Sequence, residues 1–206
     1  MAKGLSHRPI DQAKHNAVLA AARSEFFENG YASASIERIA AAANVSKVTI
    51  YSHFQGKENL FSAVVGSECD VMRGQLPEVT TSELSLRGVL LLFANSMMEF
   101  LSSPDIIRFD RRMAAEAEHH PAMGELFLNA GPRRLKAMLT EMITREMQNG
   151  RLGKGDPQEA AAHLYGIIKG FADIEWRFSN PQTASQSIKP TALEAAVDRF
   201  LRAYGV

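Results

Sequence analysis

The sequence predicts an all-α protein, with a small N-terminal three-helix domain followed by a larger helical domain. Apolar residues recur at the three- and four-residue spacing of an amphipathic helix, for example at Val18, Ala22 and Phe26. Helix-start signals, such as the capping residue Asp156 followed by Pro157, separate the apolar segments. No segment shows the β-branched alternation that is typical of a strand. These three observations define the predicted fold class.

The segment 35–60 is predicted to form two short helices, a tight turn between them and the start of a third helix. Asn44 lies where the turn must be, and asparagine tolerates the left-handed backbone conformation of such a corner. Ser46 follows as a natural N-cap, whose hydroxyl can accept from the backbone amide of Thr49. The residues predicted to face inward are Ile36, Ile39, Ala40, Ile50 and Phe54.

The outward side of the second short helix carries a cation, several hydrogen-bond donors and an aromatic hydroxyl. A helix start of this composition fits the second helix of a helix-turn-helix motif, which enters the DNA major groove. An ordinary helical hairpin with a solvated face has the same spacing, so the pattern alone leaves both interpretations open. The outward residues are Lys47, Val48, Thr49, Tyr51 and His53.

Two motifs resemble the N-terminal domain of the TetR family of bacterial transcription regulators. They are FFENGY at residues 26–31 and NVSKVTIYSHFQGKENLF at residues 44–61, within a similarity that runs from about Val18 to Phe61. The resemblance implies a homodimeric DNA-binding regulator of transcription. It also implies a palindromic operator in double-stranded DNA, a repressor role, and release by a small molecule.

Three residues differ from the usual family pattern. Asn44 and Val48 stand where the family commonly has glycine, and the change at Val48 bears on base preference. Ala34 stands where a threonine often caps the first motif helix. Ser33 or Ser35 is therefore the expected cap of that helix.

The predicted DNA contacts combine side-chain chemistry with position in the motif. Most of these side chains are donors suited to phosphate oxygens, and Lys57 also lies at the amide-rich start of the following helix. Thr49 is the predicted base reader because its hydroxyl and methyl groups can both reach a base edge, and Val48 can contact a thymine methyl. The predicted DNA-binding residues are Ser35, Ser46, Lys47, Val48, Thr49, Tyr51, His53 and Lys57.

Composition narrows the class of protein further. The 206 residues are 46% hydrophobic, enough for a core, and no apolar run reaches the roughly 18 residues of a membrane span. Net charge is zero, with seven basic and five acidic residues among residues 1–60. That weak asymmetry suits a few phosphate contacts rather than nonspecific coating of DNA. The single cysteine, Cys69, and the lack of an apolar signal-peptide core predict a cytoplasmic protein.

The predicted domain limits divide the chain into three segments. Residues 1–56 form an N-terminal arm and the helix-turn-helix domain, and residues 57–74 form a connecting helix. Residues 75–206 form the ligand-binding and dimerisation domain, and the boundary lies at the polar, proline-containing stretch 75–81.

The second domain is rich in methionine and phenylalanine, which suit either a site for apolar ligands or ordinary core filling. The family resemblance favours a small-molecule pocket among the middle helices, for an apolar or amphipathic ligand. The segment RRMAAEAEHHPAMGELFLNAGPRR also resembles a C-terminal domain type found in some members. The predicted pocket residues are Met97, Phe100, Phe109, Met113, Phe127, Met138, Met142, Tyr165 and Trp176.

A stripe of small residues in HLYGIIKGFADIEWRF, residues 163–178, predicts close approach of another helix. The two glycines lie one turn apart, and each glycine inside a helix costs about 1 kcal/mol relative to alanine, which close packing would offset. The resemblance implies that the partner helix belongs to a second copy, whereas packing within one chain remains open. The predicted interface residues are Ala162, Gly166, Gly170, Val197, Phe200, Leu201 and Tyr204.

Catalytic motifs are not apparent, and we expect no enzyme activity, no metal and no cofactor. His119 and His120 are adjacent, so they point to different faces of a helix and form a poor metal pair. The predicted function is a ligand-responsive regulator of transcription. A helical small-molecule-binding protein that has lost its DNA role, or an enzyme with a His/Glu site near His119, are the alternatives.

Overall fold

Helices account for the regular structure of this protein, and no strand occurs in residues 7–74, 85–187 and 189–206, the part that the computed structural model describes. The all-α prediction is confirmed. The predicted boundary at 75–81 and the first residues of the N-terminal arm lie outside the described residues. The helices are α1 (His7–Ser33), α2 (Ile36–Ala42), α3 (Lys47–Phe54), α4 (Lys57–Gly74), α5 (Leu86–Leu101), α6 (Pro104–His119), α7 (Pro121–Ala130), α8 (Pro132–Gln148), α9 (Pro157–Lys169), α10 (Ala172–Phe178) and α11 (Pro190–Tyr204), with a 3-10 helix at Pro181–Ser187 between the last two.

Side-chain caps start several of these helices. Ser46 accepts from the amide of Thr49 at 3.1 Å, as its place before α3 predicts. Asp156 accepts from the amide of Gln158 at 2.8 Å and is followed by proline, as expected for the start of α9. Of the two serines proposed to cap α2, Ser35 takes the role, because its hydroxyl accepts from the Arg38 amide.

The chain divides into two compact units, of which the first contains the residues up to Glu68 together with Phe109–Ala130. Its core is aromatic: Phe61 lies edge-on to Phe26, with ring centroids 5.2 Å apart, and Phe27 stacks on Phe109 at 4.2 Å. The fully buried members of this core are Val18, Ala22, Phe26, Ile39, Ile50, Leu60, Phe61 and Val64. The N-terminal helices therefore share one core with the second half of α6 and with α7.

Gly30 lies close to side chains of α6 within this unit. Its φ of 77° lies in the left-handed region, which breaks the helical path of α1. A Cβ atom there would lie 1.9 Å from Oε1 of Glu116, so only glycine fits. The other oxygen of Glu116 accepts from the amide of Ala32 at 2.8 Å. Gly30 thus marks a real break in α1.

The second unit contains Cys69–Arg108 and Gly131–Val206. Helices α5, α8, α9 and α11 pack together in it, and Arg87 on α5 pairs with Asp198 on α11 at 2.6 Å. Its fully buried residues include Leu90, Ala94, Met97, Ile143, Ala160, Leu164, Val197 and Phe200. Helix α6 contributes to both units, because Pro104–Arg108 belongs to the second and Phe109–His119 to the first. The domain limits predicted from sequence stay predictions.

The glycine stripe of residues 163–178 does not lie in one helix, which corrects the prediction. Gly170 ends α9 with a φ of 51°, and its amide donates to the carbonyl of Gly166. A new short helix, α10, begins at Ala172. Gly166 does lie within α9, and a Cβ atom added to it would meet nothing within 4 Å.

Candidate nucleic-acid interface

The turn between α2 and α3 has the geometry that the sequence predicts. Asn44 adopts a φ of 52°, and the amide of Val45 donates to the carbonyl of Ala40 at 3.0 Å. The five residues predicted to face inward are all buried: Ile36, Ile39, Ala40, Ile50 and Phe54. Burial on this side fixes which side of α3 faces solvent.

The solvent side of α3 is led by two side chains. Val48 is 76% exposed and Tyr51 is 53% exposed, both high values for large apolar residues. Thr49 is half-buried, and its hydroxyl lies 2.9 Å from the hydroxyl of the capping Ser46. The hydroxyl of the residue predicted as the direct base reader is therefore engaged by the capping serine, whereas Val48 and Tyr51 project into solvent.

Glu37 links α2 to α3, a contact that the sequence analysis missed. Its Oε1 pairs with Nζ of Lys47 at 2.9 Å, and its Oε2 accepts from the hydroxyl of Ser35 at 3.0 Å. The hydrogen bond from Lys47 is the largest cause that lowers the pKa of Glu37 to about 2. An acid in the first turn of a helix is common, so the spacing of Glu37 carried no signal of this cross-helix pair.

Arg38 and Glu25 brace the start of α2 against α1. Arg38 Nε donates to Oε1 of Glu25 at 2.8 Å, and Arg38 Nη2 donates to the carbonyl of Ser33 at 2.7 Å. The amide of Ser35 donates to the same Glu25 oxygen at 3.0 Å. The hydrogen bond from Arg38 is the main reason that the pKa of Glu25 is lowered. This network holds Ser35 and Glu37 in place on the surface.

Lys57 is engaged inside the first unit. Its Nζ donates to the carbonyl of Ala32 at 3.1 Å and lies 4.8 Å from the ring centroid of Tyr31. Burial is the main cause that lowers its pKa. The amine thus ties the start of α4 to the residues after Gly30, a structural role that its place in the sequence did not predict.

His53 packs at the edge of α3 rather than at its exposed centre. Its ring lies edge-on to His15 of α1 at 5.9 Å, and the ring of His15 stacks on Phe54 at 4.8 Å. His53 is half-buried. The predicted phosphate contacts of His53 and Lys57 therefore stay predictions, with weaker geometric support than Lys47 has.

The nine predicted ligand-pocket residues belong to two separate hydrophobic cores. Phe109, Met113 and Phe127 pack in the first unit, and Phe109 stacks on Phe27 there. The structure thus places these three in a core separate from that of the other six, and the pocket role of all nine stays a prediction. The six that share the core of the second unit are Met97, Phe100, Met138, Met142, Tyr165 and Trp176.

The predicted dimer residues also fall into two groups. Val197 and Phe200 are both 0% exposed within the single chain and belong to the core of the second unit, so their role in the interface stays a prediction. Leu201 and Tyr204 are half-buried, and Ala162, Gly166 and Gly170 are exposed. Sequence analysis missed the largest exposed apolar side chains beside this group, which are Phe171 at 82%, Ile174 at 51% and Phe178 at 84%.

His119 and His120, the histidines of the catalytic alternative, are exposed, at and just beyond the end of α6. In the described part of the chain, no three His, Cys, Asp or Glu side chains are grouped to hold a metal ion. Within the same residues, no helix is long and apolar enough to cross a membrane.

Replacing Lys47 by glutamine is expected to raise the pKa of Glu37 from about 2 toward its ordinary value of 4.5. The folded-state value is depressed, so the pair stabilises the fold above the ordinary pKa and is lost as the pH falls toward 2. Carboxyl-carbon NMR titration measures the change. Glu25, which depends on Arg38, is the internal control. An unchanged Glu37 pKa would show that the pair does not form in solution.

The capped start of α3, its buried inner side and its exposed outer side define a helix-turn-helix of the DNA-binding kind. The family model for bacterial regulatory proteins of the TetR family matches residues 18–64. The model for the C-terminal domain of AefR-like transcriptional repressors matches residues 88–206. The chain belongs to the TetR family.

Individual relatives agree with this assignment. The uncharacterized HTH-type transcriptional regulator YdeS of Bacillus subtilis is 30% identical over 171 residues, which cover 78% of this chain and 79% of the relative. The HTH-type transcriptional regulator RutR of Escherichia coli is 26% identical over 166 residues, 79% of this chain and 75% of the relative.

Solved structures extend the similarity to nearly the whole chain. A protein described as a TetR-family transcriptional regulator from Mesorhizobium loti is 30% identical with a TM-score of 0.74, covering 95% of this chain and 98% of its own. The flavonoid-responsive regulator FrrA is 27% identical with a TM-score of 0.71, covering 93% and 97%. The chain is therefore a DNA-binding regulator of transcription.

Proposed function

We propose that two copies of this chain bind a palindromic operator as a repressor and leave it when an apolar or amphipathic small molecule binds the second unit. The observation that carries the proposal is the exposed side of α3, where Val48 and Tyr51 project beside Lys47. In a two-fold dimer, the two copies of α3 enter successive major grooves about 34–36 Å apart. The site of action is the cytoplasm, where the DNA of a bacterium lies.

The contacts divide into those that position the protein and those that read bases. Lys47, Tyr51 and the hydroxyl of Ser35 supply donors for phosphate oxygens, which fix register without reading sequence. Val48, at the exposed start of α3, suits the methyl group of thymine. Thr49 contributes to base reading through its methyl group while its hydroxyl bonds to the hydroxyl of the capping Ser46.

Replacing Val48 by glycine is expected to change base preference at one step in each half-site, because a methyl contact is lost. The salt dependence of binding should stay the same, since no charge changes. A selection of binding sites from random duplex DNA, read by sequencing, measures the base preference of the variant and of the wild-type protein. An identical selected site from the two proteins would remove Val48 from the base-reading residues.

The dimer interface is proposed to centre on α10 and the end of α9. Phe171 and Phe178 are more than four-fifths exposed in the single chain, and Ile174 is half exposed. Exposed apolar groups of this size cost roughly 1.5–3 kcal/mol each relative to burial. A second copy that covers them offsets this cost. Because Gly166 is exposed and has no side chain, a helix of that second copy can approach α9 closely there. Leu201 and Tyr204 are proposed to lie at the edge of this interface.

The ligand is proposed to bind among the apolar side chains of the second unit. Met97, Met138 and Met142 are flexible enough to adapt to varied apolar shapes, and Trp176 and Tyr165 offer flat rings. FrrA responds to flavonoids by its name, so flavonoids are a sensible first set of probes. To act as an inducer, the ligand must favour one arrangement of the two helix-turn-helix domains over another. The coupling free energy between ligand binding and DNA binding that this requires is about 1–3 kcal/mol.

The test is a selection of random duplex DNA against the purified protein at two salt concentrations. We expect a palindromic site that is bound by two copies, with an affinity that falls as salt rises. That duplex then serves as the probe for flavonoids and other apolar compounds that release it. A folded dimer that enriches no DNA sequence would overturn the operator proposal in favour of the small-molecule-binding alternative.

A further inference from the structure

Glu37 is an acidic side chain placed among the donors that are proposed to hold DNA phosphates. It lies in the first turn of α2, and its side chain is 66% exposed. An acid at this position stabilises a helix start through the helix dipole. Stabilisation of α2 is therefore the competing explanation for the presence of Glu37 here. The contacts of its two oxygens go beyond it, because each oxygen reaches a different proposed phosphate-binding residue.

The two contacts use the donors that a phosphate would need. Ser35 has a single hydroxyl proton, which it donates to Oε2 of Glu37 at 3.0 Å. Lys47 directs its ammonium to Oε1 at 2.9 Å. While both contacts exist, Ser35 has no proton to offer to DNA, and the charge of Lys47 is partly neutralised.

The carboxylate is charged throughout the pH range in which DNA binding is measured. The hydrogen bond from Lys47 is the largest cause that lowers the pKa of Glu37 to about 2, followed by a hydrogen bond from its own backbone amide and the one from Ser35. A fixed negative charge at about 3 Å from these donors also repels an approaching phosphate, and salt at physiological strength screens it only over about 8 Å. The Glu37 carboxylate thus occupies the place where a DNA phosphate is expected to bind.

We infer that Glu37 is an intramolecular competitor of the DNA phosphate for Ser35 and Lys47, and that it limits the affinity of this protein for any duplex. DNA binding must exchange both contacts for contacts to the backbone. This cost is the same for all sequences, because phosphate contacts carry no sequence information. The inference rests on the proposed phosphate-binding roles of Ser35 and Lys47.

The experiment compares Glu37→Gln with the wild-type protein on the selected operator and on a random duplex of equal length. Glutamine keeps the shape and removes the charge. We expect both dissociation constants to fall, by up to about fivefold for each copy bound, the equivalent of one exposed ion pair per copy. The slope of log affinity against log salt should steepen by about 1 for each copy bound, because the Glu37 carboxylate that wild-type binding leaves free to take up a cation is absent from the variant.

Two further variants separate the local contact from general charge. Glu28→Gln removes the same charge from an exposed position on α1, and it should tighten binding far less. In a Lys47→Gln background, Glu37→Gln should lose most of its gain, since the released donor is gone. Circular dichroism and thermal unfolding confirm that each variant is folded.

Each other outcome has a distinct meaning. Unchanged or weaker binding of both duplexes by Glu37→Gln would overturn the inference and leave Glu37 as a stabiliser of α2. An altered preference at one base pair would assign Glu37 to base reading instead. A wild-type protein that binds neither duplex would overturn the proposed function itself, which is distinguishable because the variant plays no part in that result.

Discussion

Replacing Phe178 by aspartate is expected to separate the dimer and to weaken operator binding by about 10²–10⁴-fold. Phe178 is 84% exposed in the single chain, so the fold of the monomer does not depend on it. A charge at the centre of a proposed apolar interface must be buried without a partner, which is strongly unfavourable. Without the dimer, the two half-sites are bound by independent molecules, and the advantage of linked binding is lost.

The measurements are light scattering for mass and titration of the full operator and of a half-site. The variant should be monomeric and should bind the half-site about as well as the wild-type protein does. Val71→Asp is the matched control, because Val71 is an exposed apolar residue of α4 at 60%. We expect that control to remain dimeric. A Phe178→Asp variant that stays dimeric would place the interface elsewhere.

Phe200 offers a contrast that distinguishes interface from core. It is 0% exposed and stacks on Tyr204 at 4.8 Å within the same chain. Phe200→Ala should therefore reduce the free energy of unfolding, by about 3–5 kcal/mol for a large aromatic side chain. Its effect on dimerisation would follow from unfolding rather than from a lost intermolecular contact.

The helix-turn-helix was predictable because local rules determine it. The corner at Asn44, the cap at Ser46 and the inward positions of Ile50 and Phe54 each depend on residues within a few positions in the chain. A period of 3.6 residues then decides which side is outward. Local signals of this kind identified the segment and its exposed face correctly.

Contacts between distant segments were not predictable in this way. The Glu37–Lys47 pair spans ten residues and two helices, and the contact between Glu116 and the amide of Ala32 spans 84. Apolar periodicity also does not identify the partner of a buried side. Val197 and Phe200 were predicted at the dimer interface, and the structure buries them in the core of the second unit, where α11 packs against α5 and α9. A helix with an apolar face must bury it, but the sequence of that helix does not say against what.

The break at Gly170 shows a third limit. A glycine within an apolar pattern is compatible with a helix interior or with a helix end. Its positive φ ends α9, and the apolar pattern continues in α10 with a new direction. The exposed Phe171 and Phe178 follow from that change, because the side chains of α10 no longer continue the buried face of α9.

Phe109 is the residue for which sequence and structure assign the most different roles. It was predicted to line a ligand pocket, yet it is 4% exposed in the aromatic core of the first unit. Its ring is parallel to that of Phe27 within 4°, and stacked pairs of this kind add about 0.5–1.5 kcal/mol beyond the burial of area.

Phe109→Ala is expected to lower the free energy of unfolding of the first unit by about 3–5 kcal/mol, since it leaves a cavity beside Phe27 and Phe61. Loss of this size is a large part of the total stability of a domain. Hydrogen exchange should therefore accelerate in α1 and in the first part of α4, and operator affinity should fall because fewer molecules hold α3 in place.

Phe100→Ala is the matched control, because Phe100 is half-buried beside the core of the second unit. It should cost less stability and should speed exchange in the second unit instead. If Phe109 served the ligand, its replacement would weaken the response to an inducer while the stability of the first unit stayed the same. We expect the opposite, a loss of stability of the first unit even without an inducer. The reason is that a ring enclosed by Phe27, Phe61 and Phe127 stabilises the fold before any ligand binds.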